Sequence, residues 1–167
     1  MQPVAITANL TSFGNGRAEL DDCAPHPGCS ERKAGTMLEE ERLTRQMIAL
    51  WESGVDGIIE AFQCYCAPDV KWINTGIPSV EGLDNCVELL RVQARAWKFH
   101  STRVDIRSLL AAPGLVMIER VDRVFDADGT EIFGAPVVGV LEWADGKITQ
   151  WRDYFDPGPL LSIGQLE

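Results

Sequence analysis

The chain has 167 residues, 46% of them hydrophobic, with five tryptophans and a formal net charge of -10. That length and composition give one domain with a real core, and the acidity argues against nucleic acid or an anionic membrane as partner. No apolar run approaches the ~20 residues of a membrane span. The start has neither a basic segment nor an apolar signal core, and the five cysteines have no disulfide-framework spacing, so a cytoplasmic location is expected.

Residues 1–35 are punctuated by Gly14, Gly16, Pro25, Pro27, Gly28 and Gly35 and show no amphipathic period. They read as a flexible tail, with Pro3 to Leu10 as a candidate edge strand. A single domain is expected over 36–167. Thr36 and Glu39 fit a capping box, after which Leu43, Met47, Leu50 and Trp51 share a helical face as far as Gly54. A second helix points Ile58, Ile59, Phe62 and Tyr65 inward and is expected to end at Pro68. A short strand follows over 69–75. Asp84 is placed to cap a third helix that buries Val87, Leu90, Ala94 and Trp97.

The period then changes from 3.6 to 2. Val104 and Ile106 alternate with Arg103, Asp105 and Arg107, and three more strand-like runs cover 115–126, 131–143 and 147–155. Asp126-Ala127-Asp128-Gly129 and Ala144-Asp145-Gly146 supply hairpin turns between them. Gly134-Ala135-Pro136 is expected to bend or bulge the middle run. The fold class predicted is α+β, with three helices packed on a strongly curved mixed sheet around an apolar pocket.

Two of these strands put charge where apolar groups belong. Asp153 alternates with Trp151 and Phe155, while Arg120 and Asp122 alternate with Val116, Ile118 and Val124. Burying such groups is costly unless they pair and hydrogen-bond. Two carboxylates bridged by one arginine and titrating differently would supply an acid and a base at neutral pH. A structural ion-pair network explains the pattern equally well. Trp72 and Asn74 also share a strand face and would hold a water against a carboxylate, although a core tryptophan beside a turn asparagine is the plainer reading.

Cys23, His26 and Cys29 match no standard zinc spacing and lack a fourth ligand, so no metal is expected. Cys64, Cys66 and Cys86 read as helix-packing cysteines and His100 as a surface or capping residue. With no nucleophile–histidine arrangement, phosphate loop or dinucleotide fingerprint, no cofactor is expected.

Glu119-Arg120-Val121-Asp122, the run from Gly146 through Trp151-Arg152-Asp153-Tyr154-Phe155-Asp156, and Asp69-Val70-Lys71-Trp72-Ile73-Asn74 together resemble the limonene-1,2-epoxide hydrolase family. That family lies within the cone-shaped SnoaL-like, or NTF2-like, α+β domains that include ketosteroid isomerase. The resemblance covers roughly residues 38–160. It implies Asp153 as general base, Asn74 as water-holder, Asp122 as general acid and Arg120 as the bridge between the aspartates. It also implies a homodimer acting on a small apolar epoxide and water. Trp72 stands where the family pattern has tyrosine, and an indole donates a hydrogen bond but accepts none. A SnoaL-like or ketosteroid-isomerase-like cyclase or isomerase, including one that opens an epoxide intramolecularly, and a non-catalytic ligand-binding domain remain as alternatives.

Overall fold

The computed structural model describes residues 37–159. The expected tail, its candidate strand, Thr36 and the Cys23, His26 and Cys29 group lie outside them. The three expected helices form: α1 Glu39–Leu50, α2 Gly54–Tyr65 and α3 Leu83–Ala96, with a 3-10 turn, Trp51–Ser53, between the first two. Six strands follow the order of the chain as β1 Cys66–Asn74, β2 Val80–Glu81, β3 Ser101–Ala112, β4 Leu115–Phe125, β5 Glu131–Ala144 and β6 Lys147–Tyr154. They make one sheet in the order β2-β1-β6-β5-β4-β3. All pairs are antiparallel except β1 with β6, so the sheet is mixed, as expected.

Several boundaries depart from the expected ones. Glu39 is the first residue of α1 and Leu38 its cap, with no side-chain capping bond. Glu39 bonds Arg42 instead, one turn on. Neighbouring Glu40 accepts the Gly114 N–H at 3.0 Å and so ties α1 to the β3–β4 turn. Gly82, rather than Asp84, caps α3. Helix α2 ends at Tyr65, and Pro68 lies inside β1, in the irregular stretch between the paired residues Cys66 and Lys71. A residue with no N–H is tolerated where the ladder is interrupted.

The helices bury Met47, Ile48, Trp51, Ile58, Phe62 and Leu90 against the inward residues of the sheet, among them Val116, Ile118, Leu141 and Ile148. Gly54 is needed between α1 and α2. Its φ of 74° lies in the left-handed region, and a Cβ there would clash with the His100 carbonyl oxygen. The β5–β6 turn uses Asp145 and Gly146, with φ of 50° and 73°, as a two-residue hairpin of the primed type requires.

Gly134-Ala135-Pro136 does not interrupt the ladder. Its residues pair in unbroken register with Arg123, Asp122 and Val121, and the irregularity falls earlier, opposite Val124 and Phe125. Pro136 lies beyond the last β5–β6 pair, Val138 with Tyr154, where a proline removes no bond to that neighbour. A different bulge matters more to the inner face. Trp143 pairs with Ile148 and Glu142 with Gln150, which leaves Thr149 as an extra residue in β6. One inserted residue reverses the alternation, so Ile148, Trp151 and Asp153 are all buried. A regular strand would turn either Ile148 or Asp153 outward.

Candidate active site

Arg120 and Asp122 project from β4, Asp153 from β6, and Trp72 and Asn74 from β1. All five line one cavity of about 140 Å³, along with Trp51, Phe62, Phe99 and Trp151. The parallel β1–β6 register puts Trp72 opposite Trp151 and Asn74 opposite Asp153. Beyond Asn74, the Thr75 N–H and hydroxyl both donate to the Asp153 carbonyl, at 3.0 and 3.1 Å, and fix the end of β6 against β1.

Arg120 is the hub. Its Nε lies 2.9 and 3.0 Å from the two oxygens of Asp122, and its Nη2 lies 3.0 Å from Asp153 Oδ1. The Trp51 ring centroid is 5.5 Å from the guanidinium carbon, within cation–π reach. The Arg120 side chain is 1% exposed, that of Asp153 7% and that of Asp122 15%. Burial opposes the charge on Arg120, but the nearby Asp153 and Asp122 outweigh it and raise the pKa above the usual arginine value.

The two carboxylates differ in their donors. Asp153 Oδ1 receives two separate N–H groups, from Arg120 Nη2 and from Trp151 Nε1 at 2.9 Å. Asp122 divides a single Nε–H between both its oxygens. Separate donors stabilise an anion better than one shared donor. Burial pushes the Asp122 carboxyl above the ordinary range; Arg120 pulls it back, and the charge of Asp153 adds to the rise. Asp153 is thus both the less exposed of the two side chains and the one with two separate donors.

The indole that donates to Asp153 is Trp151, two residues earlier on the same strand face, not Trp72. Trp72 Nε1 is buried with no hydrogen-bond partner among the described residues. Its ring packs edge-on to Phe62 at 5.1 Å and tilted to Trp151 at 6.5 Å. The Asn74 side-chain amide has no hydrogen bond to another described residue and is available to a ligand. Sequence reasoning missed Trp151 as a donor and Thr75 as an anchor. The alternation of Trp151 with Asp153 carried the first signal, whereas nothing in the composition marked the second.

The remaining candidates lie elsewhere. Cys66 is buried in β1 and Cys86 in α3, where burial pushes their thiols up to about 12 and about 11, so both are inert packing groups at neutral pH. Of the three expected helix-packing cysteines, Cys86 alone is both helical and buried: Cys66 is a strand residue, and Cys64, on α2, is exposed, which corrects the expectation for both. His100 is exposed and gives its backbone N–H to the Phe125 carbonyl.

The family resemblance implies that replacing Trp72 with tyrosine raises turnover of a small cyclic epoxide while changing its affinity little. The change removes a buried orphan donor and supplies a phenol oxygen that accepts as well as donates, and one such polar contact is worth about 1–3 kcal/mol. It also opens a small cavity beside Phe62. Steady-state kinetics decide between the two effects. A variant slower on every epoxide that the wild type accepts would show that the indole serves this site better than a phenol.

Residues 41–164 match the family model of the limonene-1,2-epoxide hydrolase catalytic domain. An LEH-like epoxide hydrolase of M. tuberculosis aligns with a TM-score of 0.58 at 23% identity, covering 74% of this chain and 87% of that one. An NTF2-like protein of unknown function from Burkholderia pseudomallei gives 0.64 at 15% identity, over 76% and 98% of the two chains. A protein of ketosteroid isomerase-like fold from Catenulispora acidiphila gives 0.58 at 18%, over 79% and 96%. At these identities the solved structures establish the fold, a curled α+β cone.

Proposed function

The chain belongs to the limonene-1,2-epoxide hydrolase family, and from that premise we propose that it adds water to an epoxide in one step to give a vicinal diol. The observation that carries this reading is the single buried guanidinium joining two carboxylates of unequal hydrogen bonding in a largely apolar cavity. Asn74 and Asp153 hold the water. Asp153 takes its proton as the oxygen bonds to one epoxide carbon, and the C–O bond at that carbon breaks while Asp122 gives its proton to the departing oxygen. Arg120 keeps the two carboxyl groups in register and offsets their charge. No cofactor and no enzyme ester take part.

This division of labour needs Asp122 protonated, and its raised pKa favours that. The rate is therefore expected to fall on the alkaline side with a midpoint above the ordinary carboxylate value of about 4. A kcat that is already falling below that value, or one with no alkaline limb, would remove Asp122 from the role. The reading as a whole is tested by turnover of a panel of cyclic and aryl epoxides, with the products identified. Vicinal diols support it, and the absence of a diol from every member contradicts it.

A second reading, isomerisation or cyclisation without added water, draws on Trp72, whose indole cannot accept a hydrogen bond from water. The product distinguishes them, since only hydrolysis adds a molecule of water. A homodimer belongs to the same proposal. It is supported by exposed Leu110, Met117, Val138 and Tyr154, which lie on the sheet face opposite Arg120. Among the described residues no helix is long and apolar enough to cross a membrane.

A further inference from the structure

Arg120 stands on β4 and Asp153 on β6, so the ion pair between them spans the intervening strand β5. At the crossing lies Gly139, which pairs with Ile118 on one side and with Asp153 on the other. A Cβ at Gly139 would lie 2.5 Å from Arg120 Nη1, 3.0 Å from Asp153 Oδ1 and 3.0 Å from Ile118 Cγ2. The first of these is closer than real Cβ atoms approach. The next inward residues of β5, Val137 and Leu141, are buried branched side chains that close the sheet floor on either side.

Backbone conformation does not call for glycine here. Gly139 is absent from the glycines of positive φ, so any residue fits its backbone, and glycine weakens a strand interior. Arg120 Nη1, the nitrogen against it, is buried and has no hydrogen-bond partner among the described residues. With Nε and Nη2 tied to the two aspartates, the planar group carries Nη1 over Gly139, and only a residue without a side chain leaves room for it.

We propose that Gly139 is a positioning residue, a bare site in the sheet that lets the Arg120 guanidinium cross β5 and hold Asp122 and Asp153 in register. The three atoms nearest an added methyl group all belong to side chains, the closest being Arg120 Nη1. The clash therefore falls on the guanidinium rather than on the sheet backbone. Gly139→Ala should fold with a melting temperature close to that of the wild type and lose kcat on the order of 10²-fold, the usual effect of misplacing a reacting group by about an ångström. KM should change little.

The turnover arm rests on the epoxide-hydrolase reading, so a second arm reads Arg120 directly. In ¹⁵N spectra of arginine-labelled protein, a guanidinium locked between two carboxylates gives separate, slowly exchanging Nη signals. Gly139→Ala should merge or broaden those of Arg120. In an Arg120→Lys background, whose ammonium lacks Nη1, Gly139→Ala should have almost no further effect on kcat. If the wild type turns over no epoxide but the Arg120 signals still change, the hydrolase reading fails and the positioning role stands. Unchanged Arg120 signals overturn the positioning role, as do independent multiplicative losses in the double variant or a Gly139→Ala chain that does not fold.

Discussion

Asp153→Asn is expected to keep the fold and lower diol formation by about 10²–10⁴-fold, the range that a positioned general base contributes. The amide has almost the volume of the carboxylate, so the buried space between Trp151 and Arg120 stays filled. Its oxygen still accepts from Trp151 Nε1 and Arg120 Nη2, which now donate to Oδ1 of Asp153. What disappears is the basicity that draws a proton from water. Circular dichroism and steady-state kinetics on the same preparation separate the two consequences. Near-wild-type turnover in a folded Asp153→Asn variant would remove this residue from the reaction.

Arg120→Leu should have the largest effect on stability. The side chain is 1% exposed, and its removal leaves Asp122 and Asp153 buried without their cation. Breaking a buried ion pair from one side costs about 3–5 kcal/mol, because the remaining charge stays uncompensated. The penalty depends on pH in a defined direction. Burial already raises the folded pKa of Asp122, and without the guanidinium nothing pulls it back, so folding is favoured where this carboxyl is protonated in both states. The loss should be smallest near and below the unfolded value of about 4, and should grow as pH rises through that value towards the raised folded one. Denaturant unfolding at pH 7 and at about pH 4 measures this. A loss of equal size at both would mean that packing, not charge, is what Arg120 supplies.

The sequence made β4 and the end of β6 legible because a period of two survives through β4 and from Trp151 to Asp153, and a charge within an otherwise apolar alternation stands out. Arg120, Asp122 and Asp153 were found that way, and Asn74 and Trp72 by their spacing on β1. Position in a strand does not tell which groups meet. The bulge at Thr149 reverses the alternation within β6 with a single unremarkable residue, so the inward placing of both Ile148 and Asp153 appears only once the register with β5 is known. The Trp151–Asp153 hydrogen bond could be read as a shared face but not as a contact. Gly139 reads as an ordinary strand glycine until two neighbouring strands bring Arg120 and Asp153 over it. At the helix ends, local signals lost to tertiary ones. Pro68 reads as a stop, but parallel pairing of β1 with β6 begins at Cys66 and draws the proline into a strand. Asp84 has the right chemistry for a cap, yet α3 begins one residue earlier, at Leu83 after Gly82.

Direct attack by water is the central claim, and a single turnover in ¹⁸O-labelled water tests it most directly. With enzyme in excess over an epoxide that the protein hydrolyses, one ¹⁸O should appear in the diol and none in peptides containing Asp122 or Asp153. Label in either carboxylate after that one turnover would require a covalent ester and contradict the one-step mechanism.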